Sequence, residues 1–513
     1  MGAHARAPRA RRTRRDRDAP GPDEPRRRDR LAGRRRPAIG DPQSGHVRHC
    51  RADGRDGHRR RQQRLSRFAP PYPGIQRIQR IHRQRMKIHI KGGTLIDPVA
   101  GSERQADVFI SGGKIDAIAE AGRAPAGFAA DKTIDATGQI VAPGLVDLCA
   151  RLREPGYEHK ATLASEMAAA VAGGVTTLVC PPDTDPVLDE PGLVEMLKFR
   201  ARNLHQANVH PLGALTVGLK GEVITEMVAL TESGCVGFTH ANVPLRDTQV
   251  LLRALQYAST YGYTTWLRPL DAFIGKGGVA ASGPVASRLG LSGVPVAAET
   301  IALHTIFELM RVTGARVHLA RLSSAAGLAL VRAAKAEGLP VTCDVGVNHL
   351  HLIDVDIGYF DSQFRLDPPL RSERDREAIR AALADGTIDA ICSDHTPVDD
   401  DEKLLPFGEA TPGATGLELL LSLTVKWADE TRTPLAQALR RITSAPADVL
   451  NLPAGRLTEG SAADLCVFDP RAHWRVEPRA LKSQGHNSPF LGYELPACVR
   501  ATLVAGQVAF ERN

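Results

Sequence analysis

The sequence predicts an α/β fold, a (β/α)8 TIM barrel joined to a small β-sandwich domain built from both ends of the folded region. Three observations carry that prediction. The middle of the chain, about 141–450, alternates short apolar runs with amphipathic helical stretches. The flanking segments, 86–140 and 451–513, share a strand–turn–strand character instead. A length of 513 residues exceeds one ordinary domain and accommodates both parts.

Residues 1–85 stand apart from these elements. They contain 26 Arg, no Lys and 8 acidic residues, a net charge of +18. Removing them from the chain's 66 basic and 58 acidic residues leaves 40 and 50, so 86–513 carries −10. Runs such as RRTRRDR and GRRRP cannot bury enough apolar surface to offset chain entropy, and disorder is expected there. A nucleic-acid arm would use such charge, yet ordered motifs with interleaved aromatics are missing. An export signal needs an apolar stretch after the arginines, and a transit peptide avoids acidic residues; neither pattern fits. The segment is read as an extension of the gene model, with Met86 the expected start. The acidic body that follows has no reason to seek nucleic acid.

Strand text begins at Met86. KIHIKGGTLID, ADVFISGGKIDAIAE and KTIDATGQIVAPG are period-2 runs broken by glycine turns, which predicts hairpins. GRLTEGSAADLCVFDP and RATLVAGQVAFERN repeat the pattern at the C-terminus. Between them, TTLVCPP, VHPLGALTV, GCVGFTH, TTWLRPL, ARVHLARLS, PVTCDVGV and IDAICSDHTP are strand candidates. LASEMAAAVAGG, TQVLLRALQYASTYG and GLALVRAAKAEG are helical stretches among them. Seven or eight such β-then-α units predict the barrel, whose chemistry belongs at the C-terminal ends of its strands. No run of about 18 apolar residues predicts a membrane span. Eight cysteines are scattered singly without a CxxC pair, which makes a reducing cytoplasm the expected compartment.

APGLVDLCARLREPG, TTLVCPPDTDPV, LDPPLRSERDREAI, DGTIDAICSDHTP and NSPFLGYEL occur in this order across 86–513. In that order and spacing the chain resembles the dihydroorotases, amidohydrolases that interconvert carbamoyl aspartate and dihydroorotate in pyrimidine biosynthesis. The resemblance implies a TIM barrel of the metal-dependent hydrolase type with zinc at its mouth. It implies ligands at H-x-H on the first strand, a bridging acid, two later histidines and a final aspartate. Zinc needs deprotonated N, O or S donors. Here the H-x-H pair falls on Cys149 and Arg151, the bridging acid on His240 or Ala241, and the two histidines on Arg268 and Arg321. Only the aspartate remains, as Asp394.

Three of these positions hold arginine, which stays protonated and offers no lone pair. The substrate positions that the resemblance implies have changed as well. Asp183 and Asp367 stand where the family has asparagine, and Val398 where it has histidine; the substrate-carboxylate arginine is kept as Arg153. A makeshift site from His240, His318 and His395 lacks ligand spacing. An ion-pair cluster of Asp394 with Arg151, Arg268 and Arg321 is expected instead, with Asp183 or Asp367 taking a second arginine. No cofactor is expected.

These changes predict a catalytically inactive homologue. It resembles the dihydroorotase-like subunits that assemble with aspartate transcarbamoylase, which implies a structural subunit in a hetero-oligomer with that enzyme's catalytic subunit. No nucleic-acid or membrane partner is expected. The rival expectation is an active dihydroorotase with a rebuilt zinc site.

Overall fold

A computed structural model describes residues 86–512. The disorder expected for 1–85 lies outside the described residues. Five strands open this part: β1 (Ile88–Asp97), β2 (Ser102–Ser111), β3 (Lys114–Glu120), β4 (Lys132–Asp135) and β5 (Ile140–Pro143). β1 and β2 pair antiparallel from Ile88↔Ile110 to Asp97↔Ser102, with a bulge between Ile90 and Gly93. Gly92 sits in that bulge at φ +71°, a conformation that costs glycine little.

The chain then enters its parallel part at Gly144. A β-carbon there would lie 2.2 Å from the Thr176 hydroxyl oxygen, so the crossing requires glycine. The strands that follow are β6 (Leu145–Asp147), β7 (Val175–Cys180), β8 (Asn208–Pro211), β9 (Gly213–Ala214), β10 (Phe238–Thr239) and β11 (Thr264–Leu267). A short pair comes next, β12 (Ala280–Ala281) and β13 (Gly293–Val294), then β14 (Arg316–Leu319), β15 (Val341–Gly346) and β16 (Ala390–Cys392). β6-β7-β8 form one parallel sheet and β9-β10-β11-β14-β15-β16 another. Only Leu212 separates β8 from β9, and its N–H donates to Cys180 O at 2.9 Å. At the other seam Arg151 N donates to His395 O at 2.9 Å and His395 N to Cys149 O at 3.1 Å.

Helices fill the returns, and local chemistry sets their ends. In Thr248–Tyr261 the Asp247 carboxylate accepts from Gln249 N, and Gly262 at φ +71° closes the helix. Leu251, Ala254, Leu255 and Ala258 fall on one face and are buried against the strands. Val146, Val179, Trp266 and Ala390 come from separate strands yet share one apolar cluster with Leu212.

The chain ends in β17 (Leu465–Arg475), β18 (Glu494–Val504) and β19 (Gln507–Glu511). These join the opening strands in the order β19-β18-β17-β5-β1-β2-β3, with β4 also on β1. The two ends of the described chain thus form one hydrogen-bonded network of eight strands. The reason is that β17 pairs antiparallel with β5, from Leu465↔Pro143 to Phe468↔Ile140, so the C-terminal arm continues the N-terminal one. Ile88, Val108, Ile115, Val141, Leu465 and Leu503 pack in its core.

Candidate functional site

The site is assembled where β6 meets the end of β16. Asp147 is buried and accepts from Ser393 N at 2.8 Å, from Cys149 N at 3.3 Å and from the Ser393 hydroxyl. Burial pushes its pKa up to about 6 against those bonds. This latch fixes the two strand ends that carry Cys149, Arg151 and Asp394 to the mouth.

Arg151 is buried and uses every arm of its guanidinium. Nε donates to Asp183 Oδ2 at 2.8 Å, Nη1 to Thr396 Oγ1 at 3.0 Å and Nη2 to Asn242 Oδ1 at 3.0 Å. Arg321, after β14, donates from Nη1 to Asp394 Oδ1 at 2.9 Å and from Nη2 to Asn242 Oδ1. Its own backbone N–H donates to Asp344 Oδ1 on β15 at 2.5 Å, which holds the residue at φ +57°. Arg268, after β11, grips both carboxylate oxygens of Asp367. Asn242 Nδ2 donates to Asp367 Oδ2 at 3.1 Å and so ties the two halves together. The Cys149 thiol points at Asp394 Oδ1, 3.6 Å away. The ion pairing expected at Asp394 is therefore present through Arg321, with Arg151 also 3.6 Å from the same oxygen. Asp183 and Asp367 each take a further arginine.

Four guanidinium groups, with Arg153 the fourth, thus face three carboxylates. Burial alone would raise Asp183 and Asp367, but Arg151 beside the first and Arg268 beside the second hold both below the ordinary carboxylate range. Burial lowers Arg321, yet Asp394 and its neighbours hold it well above the usual guanidinium value. Arg153 is half-buried, donates from Nε to Pro397 O at 2.8 Å, and is brought down to about 10 by burial and the charge of Arg151. The cavity between Arg151, Arg153, Asp183 and Thr184 measures about 10 Å³. That is room for about one water.

Other residues singled out from the sequence stay outside this cluster. His240 is buried with Nε2 bonded to Thr216 Oγ1 at 2.9 Å and Nδ1 to Val243 O at 2.7 Å. Ala241 takes φ +50°, and that turn carries Asn242, rather than His240 or Ala241, into the mouth. His318 is enclosed against Trp266 and bonded to Thr342 and Asp344. His395 bonds to Glu166 Oε2 at 2.6 Å, away from Asp394. Val398 is buried, its N–H donating to Asn487 Oδ1 at 2.9 Å. Asn242 and Thr396 were missed in the sequence. Asn242 follows FTHA by one position, which was the available signal.

These residues do not fit zinc. Arginine cannot donate a lone pair, and burial pushes the Cys149 thiol up to about 12, which leaves it protonated at neutral pH. Among the described residues no three His, Cys, Asp or Glu side chains converge as a ligand set.

Residues 138–326 match the family described as Dihydro-orotase-like, and 274–510 the Amidohydrolase family. A Dihydroorotase-like protein of Pseudomonas aeruginosa is 46% identical over 426 residues, covering 83% of this chain and 100% of that protein. This chain belongs to the dihydroorotase family of amidohydrolases. A Dihydroorotase of Geobacter sp. is 40% identical over 426 residues, again 83% of this chain and all of the relative. Among solved structures, L-hydantoinase (dihydropyrimidinase) from Arthrobacter aurescens superposes with a TM-score of 0.75 at 24% identity, over 83% of this chain and 96% of that one. A D-hydantoinase reaches 0.70 at 23% identity over 83% and 96%. Likeness at that identity shows the fold alone, that of the hydantoinase and dihydropyrimidinase structures. The family read from the five motifs stands.

Proposed function

We propose that this dihydroorotase-family protein is catalytically inactive and serves as a cytoplasmic structural subunit with the aspartate transcarbamoylase catalytic chain, in a hetero-oligomer of pyrimidine biosynthesis. One observation carries the inactivity: Arg151, Arg268 and Arg321 pair with Asp183, Asp367 and Asp394 where the family places its cation and substrate. A guanidinium supplies positive charge but no exchangeable water or open coordination site, so it cannot activate a nucleophile as a bound metal does. The partner follows from the resemblance in the motifs. In the same reading the seams at Leu212 and at Cys149–His395 close the parallel strands into an eight-stranded barrel, and the mixed sheet folds over its core as a sandwich.

The second reading, an active dihydroorotase with a rebuilt site, is favoured by the 40% identity to a relative of that name. Metal analysis of protein purified without chelator, a carbamoyl aspartate cyclisation assay with added zinc, and co-purification with the transcarbamoylase decide between them. Substoichiometric metal, no cyclisation and a stable complex are expected. Stoichiometric zinc lost on Asp394→Ala, together with turnover, would overturn the proposal in favour of the enzyme.

A further inference from the structure

Three segments that follow strand ends at the mouth expose large apolar side chains. They are 271–291 after β11, 354–364 after β15 and 399–410 after β16. They share a small core of Ala280, Ala286, Ile357 and Phe407. The same segments leave Phe273 70%, Tyr359 92% and Leu404 82% exposed. Two of its segments are tied together by Lys403 Nζ, which donates to Ser362 O at 3.0 Å and Arg365 O at 3.2 Å, and Lys160 Nζ, after β6, donates to Glu402 at 2.7 Å. Phe360 takes φ +63°, a strained conformation for a bulky residue, with its ring edge-on to Tyr359. Clusters of this kind mark interaction sites in soluble proteins.

Charge frames the patch. Residues 271–291 carry Asp271 against Lys276 and Arg288, whereas residues 354–361 carry Asp354, Asp356 and Asp361 with no basic residue. Residues 399–409 carry five acidic residues against Lys403, whose side chain is buried. We propose that this acid-rimmed apolar cap is the docking surface for a second protein whose apolar contact residues are framed by lysine and arginine. A second copy meeting itself across a two-fold axis would set acid against acid, so the charge pattern selects a different chain.

The inference rests on the scaffold reading, which supplies the probe, purified aspartate transcarbamoylase catalytic subunit. Its binding to the full chain is measured by sedimentation and interferometry at low and high salt. Two variants are compared, Phe273→Ser/Tyr359→Ser/Leu404→Ser and the charge reversal Asp354→Lys/Asp356→Lys. The first should weaken binding more than about tenfold, and the second should slow association and remove its salt dependence. A wild-type complex unchanged by both variants overturns this surface and leaves the scaffold reading intact. No complex with the wild type overturns both. A homodimer lost in the apolar variant assigns the face to a second copy and overturns the proposal.

Discussion

Two polar networks lie a few residues apart at the ends of the same strands, and they are built on opposite principles. In the inner one, buried Glu166 accepts from Ser483 Oγ at 2.6 Å, Gln484 N at 3.0 Å and His395. His395 Nδ1 accepts from Gly416 N at 3.0 Å, which places the ring proton on Nε2, facing Glu166. One acid and one imidazole are satisfied by short bonds that involve no cation. At the mouth, by contrast, three half-buried carboxylates pack against four guanidinium groups. The comparison teaches that a single buried acid can be satisfied by neutral donors, while the three carboxylates at the mouth are each satisfied by an arginine.

The sharpest way to break this contrast is to remove one partner. Arg321 and Asp394 are only 4% and 12% exposed, so Arg321→Ala strands a buried carboxylate with a thiol and a 3.6 Å contact to Arg151. A loss of about 3–5 kcal/mol is expected, read from urea unfolding at constant slope. Arg321→Met with Asp394→Leu should recover most of it, because two apolar groups leave no charge unpaired. A single variant within about 1 kcal/mol of wild type would show that ion pairing does not hold the mouth together.

Arg268→Ala tests the same principle where water can help. Asp367 is 28% exposed, so solvent replaces part of the lost fork and the expected cost falls to about 1–3 kcal/mol. A cost equal to that at Arg321 would mean that burial does not set the scale.

Much of this arrangement was legible in the sequence, and the reasons are physical. Arginine at three strand ends and a lone Asp394 imply pairing, since an unpaired buried charge costs several kcal/mol. Family membership was legible because motif order survives the loss of the ligands. Asn242 was not, because β10 is only two residues long and the φ of +50° at Ala241 decides which side chain turns inward. Thr396 was hidden for a simpler reason, that a hydroxyl serving one arginine has no sequence signature. That both ends build one β domain was read from their shared strand–turn–strand text, but the β5–β17 pairing that joins them was not, since no local pattern marks a partner so distant in the chain.

A last test separates the two regions by their response to acid. Asp147, in the strand latch, has a raised pKa of about 6, so the fold binds its proton more tightly than the unfolded chain does. Its stabilisation is full below about 3.9 and is lost as pH rises towards 6. Asp183 and Asp367 are held low, so theirs is present above about 3.9 and lost as pH falls through their depressed values. Asp147→Asn keeps the acceptor for Ser393 N, and its amide can donate to the Ser393 hydroxyl, which turns to Cys149 O at 3.3 Å. The raised value already sets desolvation against the charged bonds, so relief of this two-unit shift contributes roughly 3 kcal/mol at pH 7. The variant should therefore be nearly equal to wild type at pH 4 and up to about 3 kcal/mol more stable than it at pH 7. Stability of both proteins should fall together below pH 4, where the mouth carboxylates take up protons. A variant less stable at pH 7 than at pH 4, relative to wild type, would show that Asp147 is held ionised and that the latch works on the same principle as the mouth.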